Sequence, residues 1–368
     1  VRIRGAVLEE VGRPAPFRES RPLTVSELEL AEPGREEIRV RIEVAGLCHS
    51  DLSVVDGNRA RPTPMLLGHE AAGIVDAVGP GADPEMLGRR VVMTFLPRCG
   101  ACEGCASNGL RPCVPGSAAN GAGELIAGGR RLSRDGIPVH HHLGVSGFAD
   151  HAVVSVHSVV PVSDDVPADV AAVLGCAVLT GGGAVLNAGR PSPGQTVAVV
   201  GLGGVGMAAL LTALALDDLT VIAVDAVEAK LALARELGAA RALSPAEAVE
   251  SGLRAPVVIE AAGNVRALET AIALTEAGGR TVTVGLPAPD ARVSFSPTAL
   301  VAEGRSIIGS YLGSAVPERD IPVFVDLWRR GRLPVERLVS SEIALDDINE
   351  GMDALASGAA VRQIIRFA

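Results

Sequence analysis

Six cysteines, distributed unevenly, define the chemistry open to this 368-residue chain. Cys99, Cys102, Cys105 and Cys113 crowd into "CGACEGCASNGLRPC", a C-x2-C-x2-C-x7-C pattern. Short loops let four sulfurs converge tetrahedrally, and four thiolates close the coordination shell of zinc. A closed shell has no position for water or substrate, so such a site is structural. Its binding free energy, on the order of 10 kcal/mol in isolated zinc modules, would order a loop that lacks a core of its own. The competing readings are an iron–sulfur cluster, for which the bacterial-ferredoxin spacing is missing, and disulfides, which an acidic chain without a signal sequence disfavours. The remaining thiols stand alone: Cys48 in "GLCHSDL" and Cys176 in "LGCAVLTG", with His69 of "GHEAAG" between them in sequence. Separately each reads as an ordinary buried side chain. Together they offer two thiolates and one imidazole, the donor set of a catalytic zinc with an open fourth position. Spacing alone does not bring them together.

A second signal is "GLGGVG", which places Gly201, Gly203 and Gly206 in G-x-G-x-x-G order after the apolar run "TVAVV" and ahead of a helical pattern. In that context the first glycine makes a tight turn, the second lets a pyrophosphate approach the backbone, and the third lets helix pack on strand. Phosphate then meets the free N–H groups of the helix N-terminus. The next strand, "LTVIAVD", ends at Asp225, nineteen residues beyond Gly206. A carboxylate there accepts hydrogen bonds from ribose hydroxyls and repels a 2′-phosphate, which favours NAD over NADP.

These residues need a scaffold, and the chain supplies two kinds. Up to about residue 160 it is rich in Gly, Pro and short β-like runs such as "EIRVRIEVAG" and "AAGIVDAVG". From Val178 the rhythm becomes strand, helix, strand, helix, the signature of a doubly wound parallel sheet. Mixed elements return after Gly313, so the fold class is α/β with one module inserted into a β-rich one. Hydrophobic residues at 48%, aromatics at 2% and 43 glycines suit a Val/Ala/Leu core with many close backbone approaches. The net charge of −10 argues against a nucleic-acid partner. The opening "VRIRGAVLEEVGRP" has no apolar signal core, so a cytoplasmic protein is expected. Two uncharged stretches, Val170 to Gly189 and Pro191 to Leu216, have the length of a membrane span, but "TGGG", "PSPG" and "GLGGVG" are expected to break any continuous helix.

Over essentially its whole length the sequence resembles the zinc-containing medium-chain alcohol dehydrogenases. The resemblance is carried, in family order, by "GLCHSDL", "LLGHEAAGIVDAVG", the four-cysteine lobe, "LGCAVLTG", "GLGGVG" and "VRQIIRF". It implies a GroES-like catalytic domain with the structural zinc lobe over residues 1–177 and 313–368, and an inserted Rossmann cofactor domain over 178–312. It implies two zinc ions per subunit: a catalytic one on Cys48, His69 and Cys176, and a structural one on Cys99, Cys102, Cys105 and Cys113. Glu70 would lie behind the catalytic metal, and Asp51 would orient His69. Ser50 would pass the substrate proton outward. His49 and Arg362 would face the pyrophosphate of NAD, with Gly201, Gly203, Gly204 and Gly206 forming the loop beneath it. Thr180 and Val205 would back the nicotinamide, and Lys230, five residues beyond Asp225, would reach the adenosine ribose. Phe95 would line the substrate pocket. The implied reaction is reversible hydride transfer between an alcohol, acidified by zinc, and NAD+, giving an aldehyde or ketone.

Where animal-type members end the proton relay in a histidine, this chain has Ser53, so the exit route would use water or another group. Glutathione-dependent formaldehyde dehydrogenases carry Asp and Arg where this chain has Arg59 and Ser117, which weakens that reading. Oxidation of another formaldehyde–thiol adduct is the enzymatic alternative, and a non-enzymatic protein of the same fold is the alternative from another class. The run His140 to His142 is unusual: alignment of "HHHLGVSGF" puts His142 near the substrate channel, as channel wall or solvated loop, and Arg59 is expected near its mouth. The long segment between the four-cysteine lobe and Cys176 resembles dimeric members, so a homodimer joined around "RVSFSP" and "IIGSYLG" is expected, with no membrane partner.

Overall fold

The computed structural model describes residues 1–358 and 360–367. The chain divides into two compact units, Val1–Cys176 together with the chain from Val339 onward, and Ala177–Leu338.

The first unit is built from β-strands. Arg2–Leu8, Leu23–Leu30, Leu132–Arg134, Ile137–His141 and Met65–Leu66 close into a barrel in that order. A second sheet runs Val159–Val162, Arg90–Met93, Glu70–Val78, Glu37–Leu47, Gln363–Arg366 and Ser341–Ile343, with His151–Ser155 also paired to Glu37–Leu47. The long central strand reads "EIRVRIEVAGL", and its apolar positions Ile38, Val40, Ile42 and Val44 are all buried. Each such side chain contributes about 1.5–3 kcal/mol when removed from water, which anchors the strands whose ends carry the chemistry.

The second unit holds a six-stranded parallel sheet in the order Arg241–Leu243, Thr220–Val224, Thr196–Val200, Ala255–Glu260, Thr275–Thr283 and Ser306–Gly309. Chain order reverses between Thr196–Val200 and Ala255–Glu260, the switch point at which open α/β sheets receive ligands. The inserted Rossmann module is therefore present, within a GroES-like and Rossmann architecture. Its second boundary differs from expectation. Residues 313–338 belong to this unit rather than to the β-rich one, because they pack on it: a Cβ at Gly182 would lie 2.5 Å from Phe324, and one at Gly183 2.5 Å from the Gly313 carbonyl.

The glycines of "TGGG" do not break a helix. Ala168–Gly189 is one continuous helical run of 22 residues, passing through π-helical turns at Leu174–Val178 and Ala184–Gly189. Glycine here serves close packing: a Cβ at Gly181 would sit 2.1 Å from the Val205 carbonyl oxygen. The run has the length and apolarity of a membrane span, yet 89% of it is buried inside the protein. The other uncharged stretch divides as expected into the strand Thr196–Val200 and the helix Gly204–Ala215.

Candidate metal centre and dinucleotide loop

Strand register explains how ligands distant in sequence meet. Gly46 pairs with Glu70, so Cys48 and His69 leave the central sheet at the same end. Ala71 pairs with Met93, which carries Phe95 to that end, and Gln363 pairs with Leu47, which brings Arg362 there. Gly175 closes the set, since a Cβ on it would lie 2.1 Å from the Met93 carbonyl; only glycine lets the π-turn holding Cys176 come so near. π-Turns of this kind concentrate at functional sites.

The donors converge. Cys48 Sγ lies 4.0 Å from Cys176 Sγ, and Cys176 Sγ 3.4 Å from His69 Nε2. Tetrahedral zinc with Zn–S of about 2.3 Å and Zn–N of about 2.05 Å asks for separations of about 3.8 and 3.6 Å. All three residues are buried, and the three donors leave one tetrahedral position unfilled. The set fits a zinc ion with an open site.

One carboxylate organises two of the donors. Asp51 is fully buried on the first turn of the helix His49–Val55, which Cys48 caps. Its Oδ2 accepts from the Cys48 amide at 3.1 Å, and its Oδ1 pairs with His69 Nδ1 at 2.9 Å. The imidazole thereby carries its proton on Nδ1 and turns Nε2 toward the thiols. Burial opposes a charged His69, but Asp51 and Cys48 outweigh it and raise its pKa well above the ordinary value. The hydrogen bond from Cys176, against burial and with help from Arg362, pulls the Cys48 thiol well below its usual range; Cys176 is raised in turn.

Arg362 reaches the same end of the sheet. It is 2% exposed; its Nη1 donates to the Leu47 carbonyl at 2.9 Å and lies 3.4 Å from Glu70 Oε2. Burial opposes its charge, but Glu70, Cys48 and Cys176 more than offset this and raise its pKa. It sits beside the thiols as a counter-charge. Glu70 lies beside Gly46, where a Cβ would collide with its Oε1 at 2.1 Å.

Around the imidazole stand two rings. Phe95 and His142 each meet His69 edge-on, with centroids 5.5 Å apart. His142 is 1% exposed, so it is no solvated loop. Register places it: His140 and His141 pair with Met65 and Leu66, on the strand that leads to His69. The three histidines part company as expected of adjacent residues. His140 Nδ1 meets the Ala122 carbonyl, His141 Nε2 accepts from the Arg131 amide at 3.0 Å, and His142 Nδ1 lies 3.3 Å from Asp51 Oδ1. Arg59 is half-buried, its amide donating to Ser53 O at 2.7 Å. The arginine whose charge reaches His142 is Arg61. Ser50 is half-buried and His49 exposed on the same helix, while Ser53 Oγ donates back to the His49 carbonyl.

The four-cysteine lobe closes upon itself. Cys99 and Cys105 sulfurs are 3.9 Å apart, as are those of Cys102 and Cys113, near the edge of about 3.8 Å for tetrahedral zinc. The Cys99 and Gly116 amides donate to Cys113 Sγ, and the Cys105 amide to Cys102 Sγ. Backbone donors from Cys105 and Val114 bring Cys102 down to about 6, while burial pushes Cys113 up to about 12. Four sulfurs fill the shell, as the spacing predicts.

In the second unit Gly201 takes φ +90°, and a Cβ there would lie 2.6 Å from Ala262. A Cβ on Gly206 would come within 1.7 Å of the Gly201 carbonyl, so its role is helix-to-strand packing. Gly203 has open space where a Cβ would be, and it starts the helix Gly204–Ala215 without a side-chain cap, leaving a cradle of free N–H groups. Val205 is half-buried in the first turn, and Thr180 is buried on the long helical run. Asp225 Oδ2 accepts from the Leu202 amide at 2.6 Å and Oδ1 from the Val227 amide at 2.8 Å. Each oxygen retains a lone pair, so the carboxylate braces the glycine loop and still has acceptors for ribose hydroxyls. Sequence reasoning missed Glu260, whose buried carboxylate accepts from the Ala262 and Gly263 amides and from Thr283 Oγ1, fixing the loop opposite. Its only signal was an acidic residue ending a buried apolar strand. Lys230, half-buried five residues past Asp225, is the chain's single lysine.

Comparison with known proteins agrees with this geometry. Residues 34–164 match the family profile described as alcohol dehydrogenase GroES-like domain, and residues 204–329 match zinc-binding dehydrogenase. The chain is similar to an alcohol dehydrogenase zinc-binding domain protein from Burkholderia ambifaria, at 32% identity over 100% of this chain and 99% of that one, TM-score 0.92. It is also similar to a benzyl alcohol dehydrogenase from Acinetobacter calcoaceticus, at 30% identity over 100% of both chains, TM-score 0.90. A thermostable alcohol dehydrogenase from Pyrobaculum aerophilum is 26% identical over 100% of both chains, TM-score 0.81.

Proposed function

Because the chain belongs to the zinc-containing medium-chain dehydrogenase family, we propose that it oxidises an alcohol reversibly to an aldehyde or ketone with NAD+ as hydride acceptor. The observation that carries this reading is the buried Cys48–His69–Cys176 donor set, three converging ligands of the kind that catalytic zinc takes. When bound there, zinc supplies Lewis acidity that makes a hydroxyl proton easier to lose, and NAD+ supplies the hydride acceptor. The chain does the rest. Asp51 holds His69 Nε2 toward the metal position, and Arg362 offsets the negative charge of two thiolates and Glu70. Phe95 and His142 wall the donors with ring edges and keep water away. Ser50 Oγ receives the hydroxyl proton and passes it outward; the Ser53 hydroxyl, already bonded to a carbonyl, makes no imidazole-like terminus. The carboxylate of Asp225 supports the choice of NAD over NADP.

The test is a panel of primary and secondary alcohols, and of formaldehyde with small thiols, offered with NAD+ and NADP+ to zinc-replete and zinc-stripped protein. Zinc-dependent NADH formation from alcohols is expected, with NADP+ the poorer acceptor. Activity on thiol adducts alone would move the assignment to that chemistry. Inactivity on the whole panel would end the catalytic reading.

We also propose a homodimer formed along the open edge of the parallel sheet. Among the described residues its last strand, Ser306–Gly309, has no neighbour on its outer side, and Phe295, Val301 and Tyr311 are 44%, 81% and 40% exposed. Val301→Asp is expected to give a monomer in sedimentation; a dimer unmoved by it and by Phe295→Asp would place the interface elsewhere. Six free cysteines suit the reducing cytoplasm.

A further inference from the structure

We propose that His142 is a specificity-determining residue which hydrogen-bonds a second hydroxyl on the alcohol substrate. This rests on the alcohol dehydrogenase reading above and narrows its substrate class.

The starting point is a pair of unmet hydrogen bonds. His142 is 1% exposed, yet neither ring nitrogen has a hydrogen-bond partner among the described residues. Its Nδ1 has only a long contact, 3.3 Å to Asp51 Oδ1, an oxygen that already serves His69, so Nε2 is the atom left to a ligand. Leaving a buried polar group unpaired costs about 1–3 kcal/mol. A ring that only filled space beside His69 would avoid this by being phenylalanine, as its neighbour Phe95 is.

The surroundings repeat the pattern. Asn120 is 4% exposed and its Nδ2 donates to the Phe95 carbonyl at 2.7 Å, while its Oδ1 has no partner. Arg61 reaches the Asn120 carbonyl weakly at 3.4 Å, and its buried Nε is also unpartnered. Among the described residues, unpaired polar atoms therefore recur on His142, on Asn120, which bonds the Phe95 carbonyl, and on Arg61, which reaches Asn120, all within one unit of the chain. A site of this kind is completed by a ligand carrying its own polar atoms.

The donor and acceptor types select the ligand. A neutral imidazole nitrogen either donates or accepts according to tautomer, and a hydroxyl group can answer either role at Nε2. A carboxylate substituent fits less well, because it would approach the buried negative charge of Asp51. The class is thus an alcohol with a further hydroxyl near the carbinol carbon. Sites built to hydrogen-bond a substrate hydroxyl reject the analogue that lacks it far more strongly than apolar pockets reject an extra group.

The experiment compares matched pairs on zinc-replete enzyme with NAD+: 1,3-propanediol against 1-propanol, and 2-hydroxybenzyl alcohol against benzyl alcohol. The wild type and His142→Phe are each assayed for kcat/KM, and their alcohol dissociation constants in the presence of NADH are measured by calorimetry. Metal content and NADH affinity serve as controls. The ratio of hydroxylated to unsubstituted substrate should fall about 10- to 100-fold in His142→Phe, in both kcat/KM and binding. His142→Gln, which keeps a donor and an acceptor, should recover part of it. Equal effects of His142→Phe on both members of each pair, with zinc and NADH binding intact, would overturn the inference while leaving the alcohol dehydrogenase assignment standing. Inactivity of the wild type on every alcohol would sink both.

Discussion

Asp51→Asn isolates the device that holds the metal centre together. The carboxylate of Asp51 accepts from the Cys48 amide through one oxygen and from His69 Nδ1 through the other, and it is fully buried. Asparagine has nearly the same shape but only one acceptor oxygen. If that oxygen serves Cys48, the amide NH2 faces His69 and drives the imidazole proton to Nε2, where it blocks the metal. If it serves His69, two donors meet at the Cys48 amide. Either arrangement leaves one buried donor unpaired, at about 1–3 kcal/mol, or about 5- to 150-fold in metal affinity. Losses of 10- to 100-fold are usual when the carboxylate behind a ligating histidine is removed. Competition with a chromophoric chelator resolves two zinc phases in the wild type, and only the weaker-shelled Cys48–His69–Cys176 phase should shift. The four-cysteine phase reports that the fold survives. Two phases at wild-type affinity would refute the reasoning, and a joint shift of both would show that the mutation acts through the fold.

Three further outcomes follow from the geometry. Gly203→Ala should leave thermal stability unchanged but weaken NADH binding, whereas Gly206→Ala should destabilise the fold, because a Cβ meets open space at one and a carbonyl at 1.7 Å at the other; calorimetry and ligand titration separate them. Burial, with the charges of Arg131 and Arg130 behind it, lowers His141 to about 3. The unfolded chain then takes up a proton first as pH falls below the ordinary value near 6.5, so this residue's contribution to stability is intact above about 6.5 and declines toward 3. The His141 contribution should therefore fall by about 2 kcal/mol between pH 7.5 and 5, read as the difference in urea midpoints between metal-free wild type and metal-free His141→Gln at the two pH values; no change in that difference would count against a buried neutral imidazole. Lys230 is the only side-chain amine, so an amine-acylating reagent marks it and the N-terminus alone. NAD+ should slow acylation of Lys230 selectively, and equal rates with and without it would remove Lys230 from the ribose site.

Local signals were the legible ones. The four-cysteine lobe and the glycine loop declare themselves through short spacings, because a tight loop imposes its geometry on neighbouring residues. Cys48, His69 and Cys176 were visible only as candidates, since their meeting depends on pairing between strands far apart in sequence, such as Gly46 with Glu70. Family resemblance supplied that step. Tertiary packing decided the misreadings. Three glycines that would weaken an isolated helix are accommodated in Ala168–Gly189 because neighbouring backbone, at Gly181 and Gly183, and the Phe324 ring, at Gly182, occupy the space their side chains would need. Phe324 against Gly182 likewise ties residues 313–338 to the parallel-sheet unit, where mixed composition had suggested the other. The burial of Arg362 depends in the same way on a distant pairing, of Gln363 with Leu47. The contact of His142 with Asp51 had no local signal beyond an unusual run of histidines.

The central claim is that the solitary cysteines and His69 form the reacting centre, while the crowded cysteines only hold a loop. Its most direct test follows deuterium from benzyl alcohol labelled at the carbinol carbon into the reduced cofactor, using zinc-replete wild type and Cys176→Ser. One deuterium per NADH is expected from the wild type. The variant should give none while keeping the four-cysteine zinc. NADH without deuterium, or undiminished transfer by Cys176→Ser, would contradict the account.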